Sequence, residues 1–197
     1  MRLAILLSIL LSGCVSQHLF KGGSIGEKEG LTYFSIECQG PINWLVVYKS
    51  GRLANDLSLY DSAAHIPCGK NSRNKGGELR LIKLKAGDYF IGTFANSSHL
   101  HLNEEKAITF TVTEQSINYI GALKVNAQYS GIKILLTAGF YDHESLDRNK
   151  LSSLHPSILN TYPYVKSIAE NFVGRVRETP KALDYRYQYK PEQFDFQ

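Results

Sequence analysis

What the chain has little of narrows its reading first. Its 197 residues include one Met, one Trp, three Cys and six Pro, and neither sign of charge dominates, with 22 Lys and Arg against 18 Asp and Glu. A net charge of +4 is too balanced for a nucleic-acid binder or for broad attraction to acidic lipid. Long apolar runs are missing too. The stretch at residues 3–11 falls well short of the about 20 residues that a spanning helix needs, which argues against a transmembrane anchor. No Gly-x-Ser-x-Gly elbow, His-Glu-x-x-His helix, Rossmann glycine pattern or zinc-type Cys pairing is present. The basic loop at residues 69–77 suggests a phosphate cradle, but Ala64 stands where a Walker loop has its first Gly and Asn71 where Ser or Thr follows the Lys. It reads as a solvated hairpin tip. These absences weigh only lightly against catalysis, because triads assemble from distant residues.

What is present begins at the amino terminus. Met1-Arg2 gives a short positive region, residues 3–11 an apolar region, and Leu11-Ser12-Gly13-Cys14 a small-residue cleavage site. This resembles the lipobox of bacterial lipoproteins. The resemblance implies that Cys14 receives a diacylglyceryl group, that the chain is cut before it, and that the new amine is acylated as well, palmitate being the usual chain. An ordinary secretory signal is the alternative. Two or three acyl chains supply the second anchoring signal that one chain lacks. By the same resemblance Val15, in place of the Asp that retains such proteins in the inner membrane, implies an outer-membrane address facing the periplasm. Residues 1–13 are then a signal peptide and residues 14–30, with four glycines and little periodicity, a flexible tether of about 50 Å reach.

With Cys14 assigned to the anchor, Cys38 and Cys68 form an even pair in an oxidising compartment, which predicts a disulfide. The competing reading pairs a reactive Cys68 with His65, three residues upstream.

A composition of 43% hydrophobic residues suits one core plus extensions. Period-two alternation marks strands from residue 31 onward. Leu31, Tyr33 and Ser35 face one way and Phe34, Ile36 and Cys38 the other, while residues 44–49 carry Trp44, expected as a core anchor. In residues 78–85 the alternation changes phase between Leu81 and Ile82, which predicts a bulge. Residues 108–113 alternate strictly, and Ile117, Tyr119, Gly121, Leu123 and Val125 share a face of the next strand, with Gly121 admitting a large neighbour.

Leu84-Lys85-Ala86-Gly87-Asp88-Tyr89, then Phe110-Thr111-Val112 and Tyr119-Ile120-Gly121, resemble an uncharacterised domain of small bacterial lipoproteins. They are also similar to transthyretin-like and carboxypeptidase-regulatory-like sandwiches. The resemblance implies an antiparallel β-sandwich, prealbumin- or Ig-like, over residues 31–140, and no catalytic positions. Residues 141–197 form a C-terminal extension, with an amphipathic helix expected at residues 163–173 from Val165, Ile168, Ala169, Phe172 and Val173.

Three functions are open. A non-catalytic binding or assembly module of the cell envelope would meet an envelope protein through the aromatic tail, Tyr185, Tyr187, Tyr189, Phe194 and Phe196. An envelope hydrolase or metal-dependent enzyme would use His65, His99 or His101, with His99 and His101 the best metal pair and Glu104 and Glu105 close by. A carbohydrate or peptidoglycan binder would present the tail aromatics to solvent. The first is favoured, with no cofactor, no nucleic acid and the membrane as a partner through the lipid.

Overall fold

A computed structural model describes residues 20, 22–51, 62–73, 77–95, 99–101, 107–130, 133–171 and 185–188. The fold is mainly β, with two six-stranded sheets and no closed barrel among the described residues. In chain order the strands are β1 (Glu29–Gln39), β2 (Trp44–Lys49), β3 (Ala64–Pro67), β4 (Glu78–Lys85), β5 (Gly87–Ala95), β6 (His99–His101), β7 (Ile108–Val112), β8 (Ile117–Ser130) and β9 (Lys133–Tyr141). Helices α1 (Glu144–Leu154) and α2 (Pro156–Thr161) follow, then β10 (Tyr164–Lys166), β11 (Glu170–Asn171) and β12 (Tyr185–Gln188). The first sheet runs β12-β9-β8-β1-β4 with β10 also on β8, and the second β11-β7-β5-β2-β3 with β6 also on β5.

The first sheet departs from the expected antiparallel plan. β1 and β8 run parallel, Leu31 opposite Ile117 and Cys38 opposite Val125. Parallel neighbours need a long connection, and here the chain lays down most of the second sheet between the two strands. Residues 69–77 likewise link β3 of one sheet to β4 of the other, so the expected hairpin tip is a crossing between sheets. Within it, residues Asn71–Arg73 make a single 3-10 turn, and the Arg73 guanidinium donates to the Gly40 and Ile42 carbonyls, tying the crossing to the end of β1.

Two buried clusters explain the strand patterns. The larger joins Phe34, Ile36 and Ile82 of the first sheet to Leu45, Ile66, Ile91 and Phe110 of the second. The smaller lies on the other face of the first sheet, where Leu31, Tyr33, Leu81, Ile117 and Tyr119 meet Leu151 of α1 and Ile158 of α2. The first sheet is therefore apolar on both faces, and strands buried on both faces lose clean alternation. In β4 the register with β1 is continuous, so the predicted bulge is absent there: Leu81 points to the helices and Ile82 to the second sheet.

The bulge sits elsewhere. Tyr33 pairs with Tyr119 and Ser35 with Ala122, which leaves an extra residue on β8. Gly121 absorbs it at φ +103°, where a Cβ would stand 3.0 Å from Phe140 Cδ1. The aromatic neighbour matches expectation, but the shared face does not. Ile117 and Tyr119 belong to the helix-side cluster, and after the bulge Leu123 and Val125 turn to the inter-sheet one.

Three further expectations are corrected. No helix occupies residues 163–171: β10 pairs in parallel with β8 and β11 antiparallel with β7. The spacing of Val165, Ile168 and Ala169 suits a helix, yet the open edge of β8 beside the bulge offers backbone partners, and tertiary pairing outweighs local propensity. Helices form earlier, over Glu144–Leu154 and Pro156–Thr161. Trp44, expected inside, is 38% exposed. Nor is the tether free up to residue 30, because Ile25 is buried, Phe20 packs on the helix-side cluster, and the Phe20 N–H donates to the Leu81 carbonyl at 2.8 Å.

Cys38, in β1, and Cys68, after β3, form the expected disulfide with Cα atoms 5.8 Å apart. It ties the two sheets together, and it removes Cys68 as a nucleophile. The turn of the Leu-x-x-Gly-x-Tyr run is closed by the Tyr89 hydroxyl, which donates to the Lys85 carbonyl at 2.7 Å.

Candidate functional site

The densest polar chemistry lies where α1 crosses the first sheet. Asp147 sits in the first turn of α1, where a carboxylate opposes the helix dipole favourably. It is fully buried. Its Oδ2 accepts the Ser35 hydroxyl at 2.9 Å and the Tyr119 hydroxyl at 3.1 Å, and Tyr119 Oη in turn accepts the His143 N–H at 3.0 Å. One strand pair thus holds the start of one helix through one carboxyl. Its Oδ1 accepts no hydrogen bond, and Lys150 Nζ stands 3.9 Å from it.

Burial is the main effect on these groups. It raises the Asp147 carboxyl above its ordinary range, against the lowering effect of the Ser35 and Tyr119 hydroxyls and the Lys150 charge. Burial pushes the Tyr33 phenol up to about 12, and burial together with the Asp147 charge raises Tyr119. Tyr164 is raised by burial and by its bonds to Tyr33 and Glu144. The three phenols remain protonated at neutral pH, so they serve as hydrogen-bond donors and not as bases.

A second chain of contacts runs from this cluster to the surface. Tyr33 Oη donates to Tyr164 Oη at 3.2 Å, Arg148 lies 4.7 Å over the Tyr164 ring, and Lys166 Nζ bridges Asp142 at 2.6 Å and Glu144 at 2.8 Å. The Lys166 ammonium holds both carboxyls below their ordinary range. Asp142, Glu144, Arg148 and Lys166, with Ser145 and Asn149, line an open cleft of about 540 Å³. Each acid there has a basic partner, so the cleft carries no strong field of one sign.

The residues singled out from the sequence lie elsewhere. His65 is on β3, its Nε2 2.7 Å from Ser62 Oγ, and His99 and His101 are on β6, beyond β2 and β5. In register His65 faces Val46, Val46 faces Thr93 and Thr93 faces His101. That row separates the backbones of His65 and His101 by three strand spacings, about 14 Å. Among the described residues no group of three or more His, Cys, Asp or Glu is placed to hold a metal ion. Glu104 and Glu105 lie outside the described residues.

Of the tail, Tyr185 and Tyr187 lie in β12, opposite Ala138 and Leu136 of β9. Tyr189, Phe194 and Phe196 lie outside the described residues, as do Cys14 and Phe172. The Asp147 cluster escaped sequence reasoning because its parts are spread from Ser35 to Tyr164. The available signal was Tyr33 and Tyr119, aromatic and polar-tipped, on a strand face shared with Leu31 and Ile117.

Among the described residues no helix is long and apolar enough to cross a membrane. No family model, no curated protein and no solved structure matches the chain.

Proposed function

We propose that the chain is a lipid-anchored protein of the bacterial cell envelope whose folded part, a β-sandwich of two facing sheets, is a non-catalytic binding or assembly module. The observation that carries this reading is the Cys38–Cys68 disulfide, which joins the two sheets and suits an oxidising compartment. It agrees with the lipobox resemblance at Leu11-Ser12-Gly13-Cys14, and Cys14 is the third cysteine that the bridge leaves over. The facing of the sheets is supported by the inter-sheet cluster, to which both contribute inward side chains.

A scaffold role follows from how the reactive side chains are used. Asp147, Ser35 and Tyr119 hold α1 on its sheet, and a fully buried carboxyl reaches no substrate. The tail then remains the surface proposed to meet an envelope partner, through Tyr189, Phe194 and Phe196.

The anchor is tested by the intact mass of the protein from the membrane fraction. The expected species begins at Cys14 and carries two or three acyl chains, and Cys14→Ala moves the protein to the soluble fraction. A full-length, unacylated chain would end this reading. Crosslinking in intact cells tests the module: an envelope protein is trapped, and deleting residues 189–197 lowers the yield.

A further inference from the structure

The second sheet has an edge that is covered for only part of its length. β11 pairs with β7 at Thr109 and Ile108, and among the described residues no strand lies outside residues 110–112 of β7. The path of the chain is the reason. Ser167 and Ala169 donate their N–H groups to the Tyr119 and Ile120 carbonyls of β8, in the first sheet, and Glu170 is the first residue of the segment to pair with β7. The diverging segments leave an open cleft of about 450 Å³, extended across the second sheet by Asp88 of β5 and by Ser50, just after β2.

Its charge is of one sign. Asp88 and Glu170 are exposed, and no Lys or Arg lines the cleft. Among the described residues neither carboxylate forms an ion pair. Asp88 Oδ1 accepts the Thr111 hydroxyl at 2.6 Å, while Glu170 is engaged through its backbone carbonyl, which accepts the Thr109 hydroxyl at 3.0 Å. The cleft beside α1 differs, because Lys166 and Arg148 answer its acids. Ile168, half-buried, gives the β7 cleft an apolar wall.

We propose that the β7 edge is where an envelope partner docks an extended basic segment, its backbone alongside residues 110–112 and its Lys or Arg side chains on Asp88 and Glu170. This rests on the assembly-module reading and names the chemistry of the partner. An open strand edge offers main-chain hydrogen bonds to any extended chain, and the charges select a basic one. The methylene stems of Lys or Arg can lie on Ile168 while their charged heads stay in water beside the carboxylates.

The test uses labelled peptides that alternate Lys with Val, or Glu with Val, titrated into the full acylated chain in detergent micelles and followed by anisotropy. The Lys peptide is expected to bind and the Glu peptide to stay free. Asp88→Asn combined with Glu170→Gln is expected to weaken binding about tenfold. Both positions are exposed, so neither change removes core packing. Backbone N-methylation of the Lys peptide is expected to abolish binding. Carbodiimide joins touching carboxylates and amines, and mass spectrometry should map the links to Asp88 and Glu170. Glu27 and Glu114, also exposed, are the controls.

Equal linkage at the controls, unchanged binding in the double variant or undiminished binding of the methylated peptide overturns the site. So does displacement by calcium chloride where sodium chloride of the same ionic strength has no effect, which marks a metal site instead. Crosslinking in intact cells separates this proposal from the reading beneath it. An envelope protein trapped equally well by the double variant overturns the site while the module stands, and no trapped partner with either chain overturns both.

Discussion

Ser35 and Asp147, 112 positions apart in the chain, meet at 2.9 Å in a fully buried contact between β1 and α1. This contact makes the seat of the helix depend on pH in a direction opposite to the usual acid transition. The folded-state pKa of Asp147 is raised, so between its ordinary value of 3.8 and that raised value the folded chain binds more protons than the unfolded one. Its contribution is fullest at low pH and declines as pH rises through that window. Asp142 and Glu144, held low by Lys166, contribute in the opposite sense. Asp147→Asn keeps the shape and removes the titration. Unfolding in urea from pH 4 to 8 should show the mutant gaining on wild type as pH rises; a difference flat with pH would contradict the raised carboxyl.

The bridge between Cys38 and Cys68 closes a loop of 30 residues and ties one sheet to the other. In the chain-entropy view such a loop stabilises the fold by roughly 3–4 kcal/mol. Replacing both cysteines with Ala, or unfolding under reductant, should lower stability by about that amount. Denaturant midpoints with and without reductant measure it, and they should coincide in the double mutant.

Gly121 and Gly51 separate two costs of adding a side chain. Both have positive φ, +103° and +88°. A Cβ at Gly51 meets nothing within 4 Å, whereas at Gly121 it meets Phe140 Cδ1 and Tyr141 O at 3.0 Å. Gly51→Ala is expected to cost about 1 kcal/mol from backbone conformation alone, and Gly121→Ala roughly 2–4 kcal/mol because the bulge cannot relax. Thermal unfolding of the two variants gives the comparison, and equal losses would count against the tight packing at the bulge.

Strand β12 covers the outer edge of β9, Tyr185 opposite Ala138 through Gln188 opposite Leu135. Deleting residues 184–197 should uncover a strand edge, and uncovered edges invite pairing between molecules. Sedimentation velocity should find the shortened protein self-associating at concentrations where the full chain does not.

The strand content was legible where one face alone decides the pattern, as in β7, whose Ile108, Phe110 and Val112 alternate with Thr109 and Thr111. It was misleading where a second layer covers the sheet. Leu79 and Leu81 beside Ile82 and Leu84 look like a phase error until α1 and α2 are known to lie over the first pair. The segment holding Val165, Ile168 and Ala169 has helical spacing and forms strands, because the edge that β8 offers before Gly121, where β9 does not reach, is a fact about distant residues. Trp44 could not be placed either, since its exposure depends on where β2 begins relative to its neighbours. The Asp147 site had no local signature: it exists only after β1, β8 and α1 are assembled.

The parallel ladder between β1 and β8 also sets an order of events. β1 is the first strand among the described residues, yet its partners on one side run from Ile117 to Asn126. A chain emerging amino terminus first cannot complete its first sheet until most of its length is out, and pairing over such sequence separation is slow. β1 therefore waits without its β8 neighbour until residue 126 has been made, with β4 as its earlier sheet partner.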